Sequence, residues 1–281
     1  MSVTAAPARW PVAGVIAWQE AKAAVRGMGC YVALSLALVA ATWMLLVDVR
    51  ALQAAGLLVL ADPFRPSVTV AILVLALFFA VSAAVSAARD RESGTLEVLF
   101  YGPVDEITYV LGKAGGLLAA YLATLPLLLA SLVLLSWMSG FALTPAILVS
   151  IVLSVVPVAE IVGFAILLSV GIGRVRSAVL LLVGIVALLL GIEVAYGMVL
   201  LVPISDPASP VLPLRDTLAA LTAAASWISP FAWLERVVDG AMACAWRSAL
   251  LSLAAALAYA GLLVGLAALW LRHRGVWRRG E

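Results

Sequence analysis

The most informative segment of the chain reads Glu92-Ser-Gly-Thr-Leu-Glu-Val-Leu-Phe-Tyr-Gly-Pro-Val-Asp-Glu-Ile-Thr-Tyr-Val-Leu-Gly-Lys113. It is the most polar stretch of a very apolar protein, and a long apolar run lies on either side of it. Gly102-Pro103 predicts a break in the chain direction. Asp105 can cap a following helix by accepting backbone N–H bonds. The order predicts a short helix, a stop and a capped restart between two membrane spans.

The predicted short helix covers residues 95–101, enough for two turns. Leu96, Leu99 and Phe100 then share one face, because their spacing is i, i+3 and i+4. This apolar stripe either rests on the ends of the protein's own spans or docks onto a soluble partner. Physical chemistry alone leaves both interpretations open.

Composition places the chain among membrane proteins. Hydrophobic residues make up 65% of it and charged residues 11%, whereas soluble domains are about half apolar and a quarter charged. The formal net charge of +2 gives no support to a nucleic-acid partner. Cys30 and Cys244 form neither a metal-binding pattern nor a disulfide framework.

Six apolar runs are long enough to cross the hydrocarbon core, which takes about 20 helical residues. The predicted spans are 29–47, 68–88, 114–136, 145–171, 177–201 and 248–271. No Lys or Arg occurs inside them. The fold class predicted is an all-α integral membrane domain over residues 29–271, preceded by a retained N-terminal segment, 1–28, and followed by a basic tail, 272–281.

The distribution of Lys and Arg predicts the orientation, since cytoplasmic loops are enriched in both. Three basic residues precede the first span, three flank the second loop, two lie in the fourth loop and four in the tail, whereas the opposite side has five. Both termini and the Glu92–Lys113 segment are therefore predicted to be cytoplasmic. The expected location is the inner (cytoplasmic) membrane of the cell, with the lipid bilayer around all six spans.

The order Glu-x-x-Gly-Thr-Leu-Glu-x-Leu, then Pro, then Gly-Lys resembles the cytoplasmic link between spans two and three of ABC-2-type permeases. These are the membrane subunits of one class of ATP-binding-cassette transporters. The matching residues are Glu92, Gly94, Thr95, Leu96, Glu97, Leu99, Pro103, Gly112 and Lys113. The resemblance extends over an N-terminal helix, six spans and a long outer loop before the last span.

The resemblance implies that the short helix, with Phe100 completing its stripe, is a coupling helix seated on a nucleotide-binding subunit. The chain contains no Gly-x-x-x-x-Gly-Lys-Ser/Thr loop, so ATP and Mg are expected on that separate partner. This chain is then no enzyme and needs no cofactor. The implied assembly has two ATPase subunits and a second permease subunit, either a copy or a related chain, and the implied direction is export.

Two further regions match the family more weakly. Residues 11–26 predict an interfacial helix, which in the family braces the ATPase contact, although a plain surface anchor remains open. The outer loop opens with four prolines between 203 and 213 and is predicted to be irregular there, then helical over 231–245 with Phe231, Leu234 and Val238 on one face. The family has short re-entrant outer helices here, and a simple surface helix is the alternative. The residues assigned to this outer region are Pro230, Glu235, Asp239 and Gly240.

Two carboxylates fall inside predicted spans, Glu160 near mid-depth and Glu193 in an outer half. A charge at the centre of a span costs about 2.5–3.5 kcal/mol on insertion scales. Together with Pro157, which frees a backbone carbonyl, they are candidates for the wall of a translocation pathway or for structural polar contacts. The alternative function that they suggest is a proton-coupled secondary transporter using Glu160 and Glu193.

The sequence has two further features of interest. The single histidine, His273, lies in the tail, so a histidine-assisted membrane enzyme is not supported. Gly261 and Gly265 form a small-xxx-small pair in the last span. We expect this pair to pack within the chain rather than against a second copy.

Overall fold

A computed structural model describes residues 9–54, 64–101, 104–202 and 211–273, and all regular structure in these ranges is helical. The helices are α1 (Arg9–Arg26), α2 (Met28–Ala54), α3 (Arg65–Glu92), α4 (Thr95–Phe100), α5 (Glu106–Ser139), α6 (Pro145–Leu153), α7 (Val155–Ile172), α8 (Val175–Leu200), α9 (Val211–Ile228), α10 (Pro230–Met242) and α11 (Trp246–His273). The tail from residue 274 and Pro103 lie outside the described residues.

Six of these units are long and apolar enough to cross a membrane: α2, α3, α5, the α6–α7 pair, α8 and α11. Their number matches the sequence prediction, and the chain is a multi-pass membrane protein. Several of these helices extend past their apolar runs, most clearly α5, which begins at Glu106 although its run begins at residue 114. Polar residues at helix ends continue the helix beyond the hydrocarbon, so Lys113 lies inside α5.

The helix α3 occupies the centre of the bundle. It packs against α2, α7 and α8 through a series of buried alanines that includes Ala76, Ala80 and Ala87. Small residues let helix backbones approach closely in a membrane. Ser169 of α7 uses this approach to donate a hydrogen bond to the Ala84 carbonyl at 2.6 Å.

The fourth span is broken at Ser154, between α6 and α7. Pro157 has no backbone N–H, so the carbonyl of Leu153 loses its helical partner. The Ser154 hydroxyl lies 2.6 Å from the Tyr121 hydroxyl of α5. The break therefore sits in the buried core and is tied to a neighbouring span.

The expectation of an irregular start to the outer loop is wrong for Pro213, while Pro203, Pro207 and Pro210 lie outside the described residues. Pro213 falls in the first turn of α9, where a missing N–H breaks no intrahelical bond. The helix α9 meets α10 at an angle of 86°. In α10, Leu234 and Val238 are buried and Phe231 packs against the core, as their shared face predicted.

The two ends of the bundle differ. The α4 end comprises α4, the end of α3, the start of α5 and the α7–α8 turn. The opposite end, here the α10 end, carries α10 and the start of α3. There Arg65 and Asp239 form an ion pair at 3.1 Å, which joins α3 to α10.

The expectation that Gly261 and Gly265 pack within the chain is wrong for the described residues. A Cβ atom added at either glycine would meet nothing within 4 Å. Both positions are exposed on α11. This small-residue face is therefore turned away from the described part of the chain.

Candidate functional site at the α4 end of the bundle

The short helix α4 presents one face inward. It begins after Gly94, whose φ of 72° lies in the left-handed region that glycine tolerates. Leu96 is buried, Leu99 and Phe100 pack against the core, and the Phe100 ring meets the Tyr109 ring edge-on at 6.2 Å. The stripe singled out in the sequence therefore rests on the protein's own helices, and it anchors α4 there.

The opposite face of α4 points outward and is partly apolar. Val98 is 71% exposed and Tyr101 is 87% exposed, and Thr95 is exposed beside them. Sequence reasoning missed this row because it followed the more strongly apolar side chains on the other face. Their spacing of three residues was the available signal. These side chains, rather than Leu96 and Phe100, are available to a partner.

Lys113 is buried at the start of α5, with 6% of its surface exposed. Its Nζ lies 2.7 Å from the Asp90 carboxylate of α3 and 3.2 Å from the Glu20 carboxylate of α1. It also donates to the hydroxyl of Ser86, which in turn donates to Glu20. Tyr109 donates to Asp90 at 2.9 Å. We call these five residues the Lys113 cluster.

The Lys113 cluster changes the role expected of Lys113. Its ammonium faces carboxylates of the same chain, so it is not placed for direct contact with a partner. Glu20 and Asp90 were not singled out in the sequence, although a lysine inside an apolar helix calls for counter-charges. The attraction in a buried ion pair offsets the cost of desolvation only when the geometry is favourable and the remaining donors and acceptors are hydrogen-bonded. The cluster therefore fixes α1, α3 and α5 relative to one another.

The helix α1 is seated in a groove of α5 formed by glycines. A Cβ atom at Gly116 would lie 2.5 Å from the Ala17 carbonyl oxygen, and one at Gly112 would lie 2.9 Å from Ile16. These contacts leave no room for larger residues. The helix is therefore more than a plain surface anchor, because it is docked on a span beside the Lys113 cluster.

We expect Gly116→Ala to loosen α1, because the new methyl group overlaps a backbone oxygen and such overpacking costs about 1–3 kcal/mol. Tryptic cleavage after Lys22 and Arg26 in α1 should become faster. The control is Gly115→Ala, whose methyl group would meet only Ala17, at 4.0 Å. Equal cleavage rates in the two variants would contradict the seating of α1 in this groove.

Arg91 and Glu92 hold the turn between α7 and α8. The Arg91 guanidinium donates to the Val170 carbonyl at the end of α7, and the Glu92 carboxylate accepts from the Val175 N–H at 3.2 Å. At Gly173, φ is +73° and Arg91 side-chain atoms lie 2.9 Å from the position of a Cβ atom. Glu92, predicted as a coupling residue, therefore caps α8.

Two other residues predicted for coupling, Thr95 and Glu97, are not buried. Thr95 lies exposed at the start of α4, where its hydroxyl is 2.8 Å from that of Ser93. Glu97 is half-buried in the same helix. The predicted cap at Asp105 is confirmed, since its carboxylate accepts the Thr108 N–H at 3.2 Å. The start of α5 is thus defined by the local sequence.

The two intramembrane carboxylates lie in different surroundings. Glu160 is fully buried in α7, close to buried Pro157, and neither of its oxygens has a hydrogen-bond partner among the described residues. Glu193 is exposed and lines a cleft of about 480 Å³ with Glu235 and Asp239. The structure thus groups Glu193 with two acidic residues of α10 and leaves Glu160 apart from them.

The other predicted outer residues are structural in α10. Pro230 occupies the first position of the helix and is buried. Gly240 lies against α11, where a Cβ atom would be 3.2 Å from Ala249. The joint before α10, at Ser229, lines a small cavity of about 60 Å³ with Leu73 of α3 and Val186 of α8. The joint therefore lies within the depth of two spans rather than beyond their ends.

Comparison with known proteins leaves the chain unplaced. No family model matches it, and no curated protein matches it. Within the described residues, no group of three or more His, Cys, Asp or Glu side chains could hold a metal ion. What the site does must therefore be argued from its own geometry.

Proposed function

We propose that this chain is the permease subunit of an ATP-binding-cassette transporter and forms the translocation pathway. The observation that carries the proposal is the placement of α4. This short helix between two spans is anchored inward by Leu96 and presents Val98 and Tyr101 outward. A soluble subunit would dock on that outward row, and α4 would act as its coupling helix.

In this proposal the α4 end faces the cytoplasm, in agreement with the excess of Lys and Arg at that end. ATP and Mg would be bound by two copies of a nucleotide-binding subunit, and a second permease subunit would complete the assembly. The cavity that Ser229 shares with Leu73 of α3 and Val186 of α8, both within spans, supports a re-entrant α9–α10 pair at the exit. Export is the direction that fits such an outer cap.

Three contacts make the α4 end a mechanical unit. Leu96 joins α4 to the core, and the Lys113 cluster joins α1, α3 and α5. Arg91 and Glu92 join α3 to the α7–α8 turn. A displacement imposed on α4 by ATP-driven closure of the partner would therefore reach four spans directly.

The test is a pull-down of the chain from its native membranes in mild detergent, with the co-purifying proteins identified by mass. The proposal expects an ATPase that contains a phosphate-binding loop. The measured masses then distinguish a second copy of this chain from a related permease.

A second candidate, a proton-coupled carrier, is favoured by one observation. The Glu160 carboxyl is buried in a span with no hydrogen-bond donor from the part of the chain that the structure describes, and intramembrane carboxyls of this kind serve as proton relays in transporters. Recovery of the chain without any ATPase, in several detergents, would favour the carrier. Proton uptake that is lost in Glu160→Gln and Glu193→Gln would then support it directly.

We expect Gly261→Leu and Gly265→Leu together to weaken association with the second permease subunit, because small residues on a membrane helix allow close packing of another helix. The fold of the chain should not change, since an added Cβ atom at either site would meet no atom of a described neighbouring residue within 4 Å. Native mass measurements in mild detergent report the association. Gly191→Leu on α8, also open to its surroundings, is the control. Unchanged association in the α11 variant would place the contact elsewhere.

A further inference from the structure

The helix register places Glu160 beside Tyr259. The fourth span, α6–α7, and the last span, α11, both start at the α10 end of the bundle, where Pro145 and Trp246 line one cavity, so α7 and α11 run in the same direction. A Cβ atom at Gly163 of α7 would lie 3.6 Å from Leu263 and 3.9 Å from the Ala260 carbonyl of α11. One turn earlier on both helices, Glu160 is level with Tyr259, and the two side chains are close enough to interact electrostatically.

The Tyr259 hydroxyl is engaged elsewhere in this structure. It donates to the carbonyl of Ile228 at 3.0 Å, and Ile228 is the last residue of α9. This bond ties the α9–α10 joint to α11. The rest of the joint is held by the Arg236 guanidinium, which lies 5.2 Å and 4.7 Å from the ring centres of Trp227 and Trp233.

A single donor therefore lies between two acceptors, and only one of them is satisfied. A buried carboxyl without a donor is costly, especially in the middle of a membrane span. The arrangement persists only if the surrounding packing holds it or if another state supplies the missing donor. The break at Ser154, six residues before Glu160, gives α7 a place at which to shift.

We propose that Glu160 and the Ile228 carbonyl are alternative acceptors for the Tyr259 hydroxyl, and that exchange between them switches the α9–α10 joint between a tied and a released state. In the tied state, described here, the hydroxyl holds the joint and Glu160 is left without a donor. In the released state the hydroxyl turns to Glu160, and the end of α9 at the joint is free to move away from α11, since no described residue of α9 is buried. The switch belongs to this chain alone and does not depend on which energy source drives transport.

The test measures the distance between a spin label on Ala224 of α9 and one on Leu250 of α11, both exposed. The full chain is held in lipid nanodiscs, with Cys30→Ala and Cys244→Ser removing the native thiols. We expect two distances, one of them matching the tied structure. Glu160→Leu should raise the ratio of tied to released molecules about fivefold, because it removes one hydrogen bond from the released state. This variant removes an unpartnered polar group, so the fold should be retained.

Two variants make the result specific. Glu160→Gln keeps a carbonyl acceptor and should stay near the wild-type ratio. In a Tyr259→Phe background, Glu160→Leu should have no further effect, because the shared donor is gone. The proposal is overturned by a single distance in the wild type, by a Gln variant that behaves like Leu, or by an equal effect of Glu160→Leu with and without the Tyr259 hydroxyl.

Discussion

Replacement of Val98 and Tyr101 by aspartate is expected to abolish stable association with the proposed ATPase subunit. Both side chains are exposed on the outward face of α4, and desolvated apolar and aromatic anchors carry most of the energy of an interface. A loss of about 2 kcal/mol at each site would weaken binding on the order of a thousandfold in all, if the two effects add. The variant should still reach the membrane, since neither side chain supports the core. Co-purification with the proposed ATPase, normalised to the amount of this chain, measures the effect.

Two comparisons make this result interpretable. Leu201→Asp changes an equally exposed residue, 83% accessible, at the opposite end of the bundle, and it should leave the association intact. Leu96→Asp places a charge at a buried site and should lower the amount of folded chain instead. If the Val98 and Tyr101 variant bound the ATPase as well as the wild type does, α4 would not be the docking element.

Replacement of Lys113 by methionine is expected to destabilise the chain by about 3–5 kcal/mol, because removing one partner of a buried ion pair leaves uncompensated charge behind. In this chain two carboxylates, Glu20 and Asp90, lose the same ammonium. The helix α1 should separate from α5 first, since Glu20 lies in α1. Thermal unfolding in detergent, followed by helical circular dichroism, measures the loss.

The matched control is the triple variant Lys113→Met, Glu20→Gln, Asp90→Asn. It removes all three charges while keeping similar volumes, and replacing a buried ion pair by neutral groups is often close to neutral in stability. The triple variant should therefore recover most of the stability that the single variant loses. A single variant within about 0.5 kcal/mol of the wild type would mean that the cluster contributes little to holding the three helices together.

The spans were predictable because hydrophobic length alone selects them. The cap at Asp105 was predictable because it depends on a neighbour three residues away. Periodicity alone could not predict which face of α4 is buried. Leu96 and Val98 are both apolar, and only the packing of α4 against α3 and α5 decides which of them is buried.

The Lys113 cluster could not be predicted in the same way. Its members are up to 93 positions apart in sequence, and periodicity within one helix carries no information on such pairs. The start of α9 was not predictable for a local reason: a run of prolines predicts an irregular segment, whereas Pro213 falls where a first helical turn accepts one. The outward direction of Gly261 and Gly265 likewise depends on which face of α11 meets α7.

The turn at Gly173 has a practical consequence for protein engineering. Arg91 fills the space in which any side chain at position 173 would lie, and a two-residue link joins α7 to α8. An epitope or reporter inserted there would push Arg91 and Glu92 off both helix ends, and its signal would report a damaged protein. The turn around Gly140, where a Cβ atom would meet nothing within 4 Å, is the better insertion point for a tag that maps which side of the bilayer each end occupies.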